Sequence, residues 1–167
     1  TQTIPIVFVG VADPVGAGLV ASLARPGGNL TGRSTQNAEL GLKRLELLRD
    51  VSPHKVSRVG VVFNPMDAAN VLGMRELEGP TRALGLTLRP VEVRSPDEFE
   101  GAFARMTSEG VDAVVVSSGP LTNSHVKEIV HLTARTRLPT IYGRREFVDA
   151  GGLMSYAVDS LDQYRRA

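Results

Sequence analysis

Val59-Gly60-Val61-Val62-Phe63 decides the fold. Five apolar or glycine positions follow one another with no polar alternation. Such a run suits a central strand of a parallel sheet covered on both faces. Asn64-Pro65 closes it. Downstream, Leu86 to Val93, Val111 to Val116, Leu138 to Tyr142 and Leu153 to Tyr156 read as four further strands. Pro90 puts the second of the five near a sheet edge, where a missing N–H costs least. The first four strand starts fall near 59, 86, 111 and 138, at spacings of 27, 25 and 27. That is the length of a βα unit. Helical patterns over 68–84, 95–110 and 122–137 fill the gaps, and 145–150 makes one or two turns. Right-handed crossovers then predict an α/β fold: a doubly wound, mostly parallel five-stranded, Rossmann-like sheet with helices on both faces.

Two local signals support the helices. Ser95-Pro96-Asp97-Glu98 reads as a capping box, with Ser95 as N-cap, Pro96 in the first turn and Glu98 reaching back. Gly85 and Gly110 are suited to helix ends. Before the central strand, Leu40, Leu42, Leu45, Leu47 and Leu48 form an apolar stripe ending near Pro53. Further upstream, Ile4 to Val9 reads as a strand and Asp13-Pro14 as the start of a helix through Leu19, Val20 and Leu23. Arg25-Pro26-Gly27-Gly28 breaks that helix, and Asn29 to Gly32 leads out as an extended connector. This first unit stands apart, as if it belonged to another lobe. Ser160 onward starts another helix.

Composition narrows the function. The 19 Lys+Arg and 18 Asp+Glu of the 167 residues leave a net charge of +1, which argues against a basic nucleic-acid or membrane surface. The zero Cys count removes disulfides, thiolate metal sites and Cys nucleophiles. His125 and His131 are six apart on one predicted helix and make no i,i+4 metal pair. Gly10 to Gly18 does not fit the dinucleotide fingerprint, and no P-loop is present, so no cofactor is expected. Ser117-Ser118 lacks a nucleophile elbow, and no acid, base and nucleophile converge.

Ligands of open parallel sheets bind beyond the carboxyl ends of the strands. That rule selects Asn64, Ser117, Ser118, Tyr142 and Glu146 as ligand contacts. Small hydroxyl and amide side chains beside helix starts suit an anion, although the same residues are ordinary caps. Tyr142, Phe147 and Tyr156 offer faces for stacking or packing. Arg144-Arg145 could take an anion or form a solvated pair.

The ordered set of segments resembles a known family. Ile4 to Val15, Arg25-Pro26-Gly27-Gly28-Asn29-Leu30-Thr31-Gly32, Lys43-Arg44-Leu45-Glu46-Leu47-Leu48, Leu138-Pro139-Thr140-Ile141-Tyr142 and Arg145 to Tyr156 together resemble the substrate-binding proteins of ABC transporters, in the branch with tryptophan/tyrosine-type binding lipoproteins. The resemblance implies a two-lobed type I periplasmic-binding fold about twice this length. Residues 1–31 would be the last βα unit of the first lobe with a crossing, 32–153 the second lobe, and 154–167 the return crossing and the start of a first-lobe helix. The chain, opening on Thr1 without a Met, reads as a piece of a longer or processed protein. The implied role is non-enzymatic capture of a small solute, such as an amino acid, in the inter-lobe cleft for an ABC permease. The implied location is periplasmic or extracytoplasmic, with a lipid anchor in the full-length protein. The resemblance adds Asp13 as a cleft residue, with Asp13 or Glu146 taking an ammonium. Arg33 and Gly119 depart from the family pattern and leave the ligand class open. The alternatives are a small α/β enzyme and a ligand-sensing regulatory domain using the same loops. A lone first-lobe unit would expose apolar surface, so residues 4–23 are expected to pack on a second copy or on the C-terminal segment.

Overall fold

The structure is a computed structural model and describes residues 2–11, 14–34, 37–158 and 165, with backbone only at 37–39. Two compact units emerge, Thr1–Asn37 with Val158–Ala167, and Ala38–Ala157.

The larger unit contains α1 (Asn37–Val51), β3 (Arg58–Phe63), α2 (Ala68–Ala83), β4 (Thr87–Glu92), α3 (Phe99–Ser108), β5 (Ala113–Val116), α4 (Pro120–Ser124), α5 (Val126–Thr136), β6 (Thr140–Tyr142), α6 (Glu146–Asp149) and β7 (Met154–Ser155). The smaller contains β1 (Ile6–Val11) and β2 (Leu30–Ser34). The five strands of the larger unit lie in the order β4-β3-β5-β6-β7, and every pairing is parallel. β4, which carries Pro90, is an edge strand as its sequence predicts.

Period-two alternation sorts side chains to two cores. Val59, Val61, Ala113, Val115 and Ile141 pack with Leu45 and Leu48 of α1 and Leu77 of α2. Val62, Val114, Val116 and Tyr142 face the other way, against Phe99, Phe103 and Met106 of α3, Ile129 and Leu132 of α5, and Phe147 of α6. Helices therefore cover both faces, which is why β5, and β3 after the exposed Arg58 at its start, contain no polar residue. Gly60 is on the α3 side because a Cβ there would lie 2.6 Å from Met106 Sδ. α1 approaches α2 through Gly41, whose Cβ would meet Leu77 at 2.5 Å. At the amino end of the sheet, Asp112 Oδ2 accepts from the Ser57 and Arg58 amides at 2.8 and 2.7 Å, anchoring the start of β3.

Four local expectations are corrected. Residues 14–23 form turns rather than a helix: Leu19 N and Val20 N both donate to Pro14 O, and Gly18 takes a positive φ of 68°. A helix there would need an alanine-like residue where Gly16 and Gly18 stand. Asn29 to Gly32 is not merely extended, because Leu30–Ser34 pairs in parallel with β1, with a register shift between Val9 and Val11. Gly32 permits the pairing, since a Cβ there would collide with Phe8 O. The predicted helix 122–137 starts earlier and breaks at His125 into α4 and α5. Ser124 Oγ donates to Pro120 O and His125 Nδ1 to Leu121 O, so side chains take carbonyls that the backbone ladder would use. Finally, Ser95 makes no side-chain cap bond and Pro96–Glu98 is a 3-10 turn. Glu98 Oε2 instead accepts from Arg94 N at 2.8 Å, one residue further back than a capping box requires. The helix expected from Ser160 lies outside the described residues.

Phe103 is 1% exposed in the α3-side core. Phe103→Ala is expected to destabilise the larger unit by about 3–5 kcal/mol in urea unfolding. Met66→Ala, at an 80% exposed position, should leave the midpoint unchanged.

Candidate functional site

β3 is followed by a crossover to β4 on one side, and β5 by a crossover to β6 on the other. The order reverses between β3 and β5, so their carboxyl ends flank the switch point where open α/β sheets bind ligands. Polar side chains stitch the loops together there. Asp67 caps α2, its Oδ1 accepting from Ala69 N at 2.9 Å and Asn70 N at 3.4 Å. Asn70, 5% exposed, accepts from Asn64 N at 3.1 Å and donates through Nδ2 to Asp67 Oδ2 at 3.1 Å and to Ser118 O at 2.8 Å. One buried amide thus joins the β3 and β5 loops. Gly119 fits against it, because a Cβ there would lie 2.8 Å from Asp67 Oδ2. Thr122 Oγ1 donates to Ser117 O at 2.8 Å and accepts from Gly119 N at 3.1 Å, closing the turn into α4.

The expected site residues divide. Asn64 Oδ1 accepts from Met66 N at 2.9 Å, and its Nδ2 group has no partner among the described residues. Ser117 is half-buried and Ser118 exposed on the same loop. Asn64, Ser117 and Ser118 are brought together around Asn70. Tyr142 is not available as a stacking face: it is fully buried, its ring lies 4.6 Å from and nearly parallel to Phe147, and its hydroxyl bonds Thr133 Oγ1 at 2.7 Å. Burial holds its phenol above the ordinary tyrosine value, so it stays neutral. Phe147 is equally enclosed, leaving Tyr156 as the exposed aromatic of the three. Glu146 is half-exposed and paired with Arg144. Asp13 lies outside the described residues.

Two residues were missed by sequence reasoning, Asn70 and Arg44. Arg44 projects from α1 and donates through Nε to Tyr156 O at 2.7 Å, just past β7. Gly143, at the end of β6, brings it beside Ser118: a Cβ on Gly143 would collide with Ser118 Oγ and lie 3.5 Å from Arg44 Nη2. The signal was present. Gly41, Arg44, Leu45 and Leu48 occupy i, i+3, i+4 and i+7, so Arg44 shares the buried stripe. A groove of about 720 Å³ lies elsewhere, between edge strand β4 and α3, and none of Asn64, Ser118 or Gly143 lines it. Among the described residues no group of His, Asp or Glu could hold a metal, and no helix is long and apolar enough to cross a membrane.

The model of the family described as ABC transporter substrate binding protein matches residues 1–167. The chain belongs to this family. A tyrosine-binding protein of Clostridioides difficile (strain R20291) is 27% identical over 160 residues, covering 95% of this chain and 45% of that protein. Among solved structures, an ABC domain in complex with L-Trp from Streptococcus pneumonia superposes with a TM-score of 0.80 at 28% identity, over 98% of this chain and 54% of that one. A conserved domain protein of Vibrio cholerae follows at 0.78 and 27%, over 97% and 53%. A ligand-free, open substrate-binding protein with adhesive properties from Clostridium difficile shares the fold at 0.77 and 24% identity, over 98% and 54%. This substrate-binding family chain spans about half the length of the relatives it matches.

Asn70→Ala is expected to cost about 1–3 kcal/mol in urea unfolding, because it strands Asn64 N and Ser118 O, and to speed amide exchange in both loops. The hydrogen bond from Arg144, with that from Glu146's own backbone amide and the guanidinium charge behind it, holds the Glu146 carboxyl below the ordinary glutamate value. A carboxyl lowered by folding stabilises above its unfolded pKa and loses that contribution as pH falls through the folded value. A carbon-detected NMR titration should place Glu146 below an unpaired glutamate, and Arg144→Gln should raise it back.

Proposed function

We propose that this chain captures a small solute, an amino acid, as the extracytoplasmic receptor of an ABC transporter. The family match over residues 1–167 carries the reading. Two relatives add the ligand class: one is a tyrosine-binding protein and one was solved with L-Trp. In this reading Asn64, Ser117, Ser118 and Glu146 are the contacts that the second lobe offers the solute, and Asp13 is the residue expected from the first. Amide and hydroxyl groups there suit the polar ends of an amino acid, and Glu146 would take its ammonium by exchanging its pairing with Arg144.

The mechanism follows from having two walls. A solute that touches both lobes binds the closed arrangement more tightly than the open one and shifts the population toward it, and a permease reads the closed form. Nothing in this cycle needs a bond made or broken. Ser117 has no base within hydrogen-bond reach among the described residues, so a hydrolytic role finds no support at its hydroxyl.

The test is calorimetric titration of the chain with a panel of L-amino acids, solutions being assayed afterward for chemical change. L-Tyr or L-Trp should bind saturably and be recovered intact, and Ser118→Ala should weaken binding by roughly 2–10-fold. Absence of binding across the panel at millimolar concentration, or turnover abolished by Ser117→Ala, would overturn the proposal.

A further inference from the structure

Four arginines lie at the carboxyl edge of the five-stranded sheet, and their surroundings differ. Arg94, just past β4, is paired with Glu92. Arg144 is paired with Glu146. Arg145 is 86% exposed and lies 3.5 Å from Asp149. Arg44 is half-buried and, among the described residues, has no carboxylate partner. Its Nε donates to Tyr156 O, and among the described residues the two Nη groups, with four of its five N–H donors, have no hydrogen-bond acceptor. A guanidinium taken partly out of water without a counter-charge carries a desolvation cost. Burial accordingly pulls the Arg44 guanidinium below the ordinary arginine value, yet it remains a cation at neutral pH.

The ground in front of the unspent donors is shaped. Gly143 brings its bare Cα against both Ser118 Oγ and Arg44 Nη2. The glycine is not required by dihedral angle, since its φ is not positive. It is required by space, and the space it keeps is bordered by a hydroxyl, a guanidinium and backbone. Arg44 is also held rather than free to swing, because Tyr156 O fixes Nε while Leu45 and Leu48 anchor the same helix in the core.

We infer that Arg44 is the carboxylate-binding residue of this rim, its Nη fork taking a planar carboxylate that Ser118 Oγ also contacts beside Gly143. The inference rests on the solute-binding reading above and adds to it the group by which the solute is held. A planar two-oxygen anion matches the guanidinium fork in a way that an ammonium or a sugar hydroxyl does not. Lys at this position would supply charge without the fork, and its Nζ could not hold Tyr156 O and a ligand in the same geometry.

The test is NMR of the Arg44 Nε–Hε resonance in the wild-type chain during titration with L-tyrosine, tyramine, acetate and inorganic phosphate, with Arg44→Gln and Arg44→Lys titrated calorimetrically. L-Tyrosine should move the resonance saturably, and tyramine, which lacks the carboxylate, should bind at least tenfold more weakly. Arg44→Gln should weaken L-tyrosine by about 10–100-fold without changing tyramine, with Arg44→Lys in between. Equal binding of L-tyrosine and tyramine with a still Arg44 resonance would overturn the inference and leave the amino-acid reading standing. A resonance moved by acetate while no amino acid binds would uphold the carboxylate site and remove the amino-acid reading. A response to phosphate alone, or to no anion, would overturn the inference. Should Arg44→Gln fail to fold by circular dichroism, the wild-type titrations decide.

Discussion

β3 must be buried on both faces at once. It pairs in parallel with β4 on one edge and β5 on the other, and parallel strands need helical crossovers that return over the sheet. Val59 and Val61 therefore need an apolar cover on one side and Val62 another on the opposite side. That demand places α1 and α2 below and α3 and α5 above. It also leaves the polar chemistry only one place to collect. With both faces sealed by helices, hydroxyls, amides and charges gather at the strand ends. The amino end is spent on structure, as Asp112 shows by capping the start of β3. The carboxyl end keeps its free groups.

Stitching and openness are balanced at that carboxyl edge. Asn70 joins two loops with three side-chain hydrogen bonds, and Thr122 closes the turn behind Ser117. Buried networks of this kind hold position because each lost partner strands another polar atom. Around them stand groups that have capacity to spare among the described residues: Asn64 Nδ2, the Ser118 hydroxyl and the Arg44 fork. Rigid loops carrying unspent donors are what preorganised recognition requires, since little ordering remains to be done when a solute arrives.

The core was readable because alternation and helical spacing are imposed by burial itself. Runs such as Val59 to Phe63 and Val111 to Val116 admit few other interpretations, and the five strands and the edge position of β4 follow from them. Local chemistry was read less well wherever tertiary context chose between equal options. Pro14 can start a helix, but Gly16 and Gly18 let the chain turn instead. Asn29 to Gly32 carries no strand signature, and only the neighbouring β1 makes it one. Tyr142 sits at a strand end, where a ligand contact and a core residue look alike. Alternation settles it, because Tyr142 shares a face with Val114 and Val116 rather than with the rim. The strand-end rule brings Asn64, Ser117 and Ser118 to one edge because it depends only on topology, and the parallel strand order is the one the sequence predicts.

Arg44 shows where pattern and function part. On helical spacing its position belongs to the stripe that buries Leu45 and Leu48, and a leucine there would add apolar burial worth about 1.5–3 kcal/mol. A half-buried guanidinium gives that up and adds a desolvation cost, returned only in part by Tyr156 O. A position that departs from the local pattern without a compensating contact in the folded chain is where a functional constraint is expected. Among the described residues no carboxylate supplies that contact. A planar anion arriving at the carboxyl edge of the sheet is the contact the proposal assigns to it.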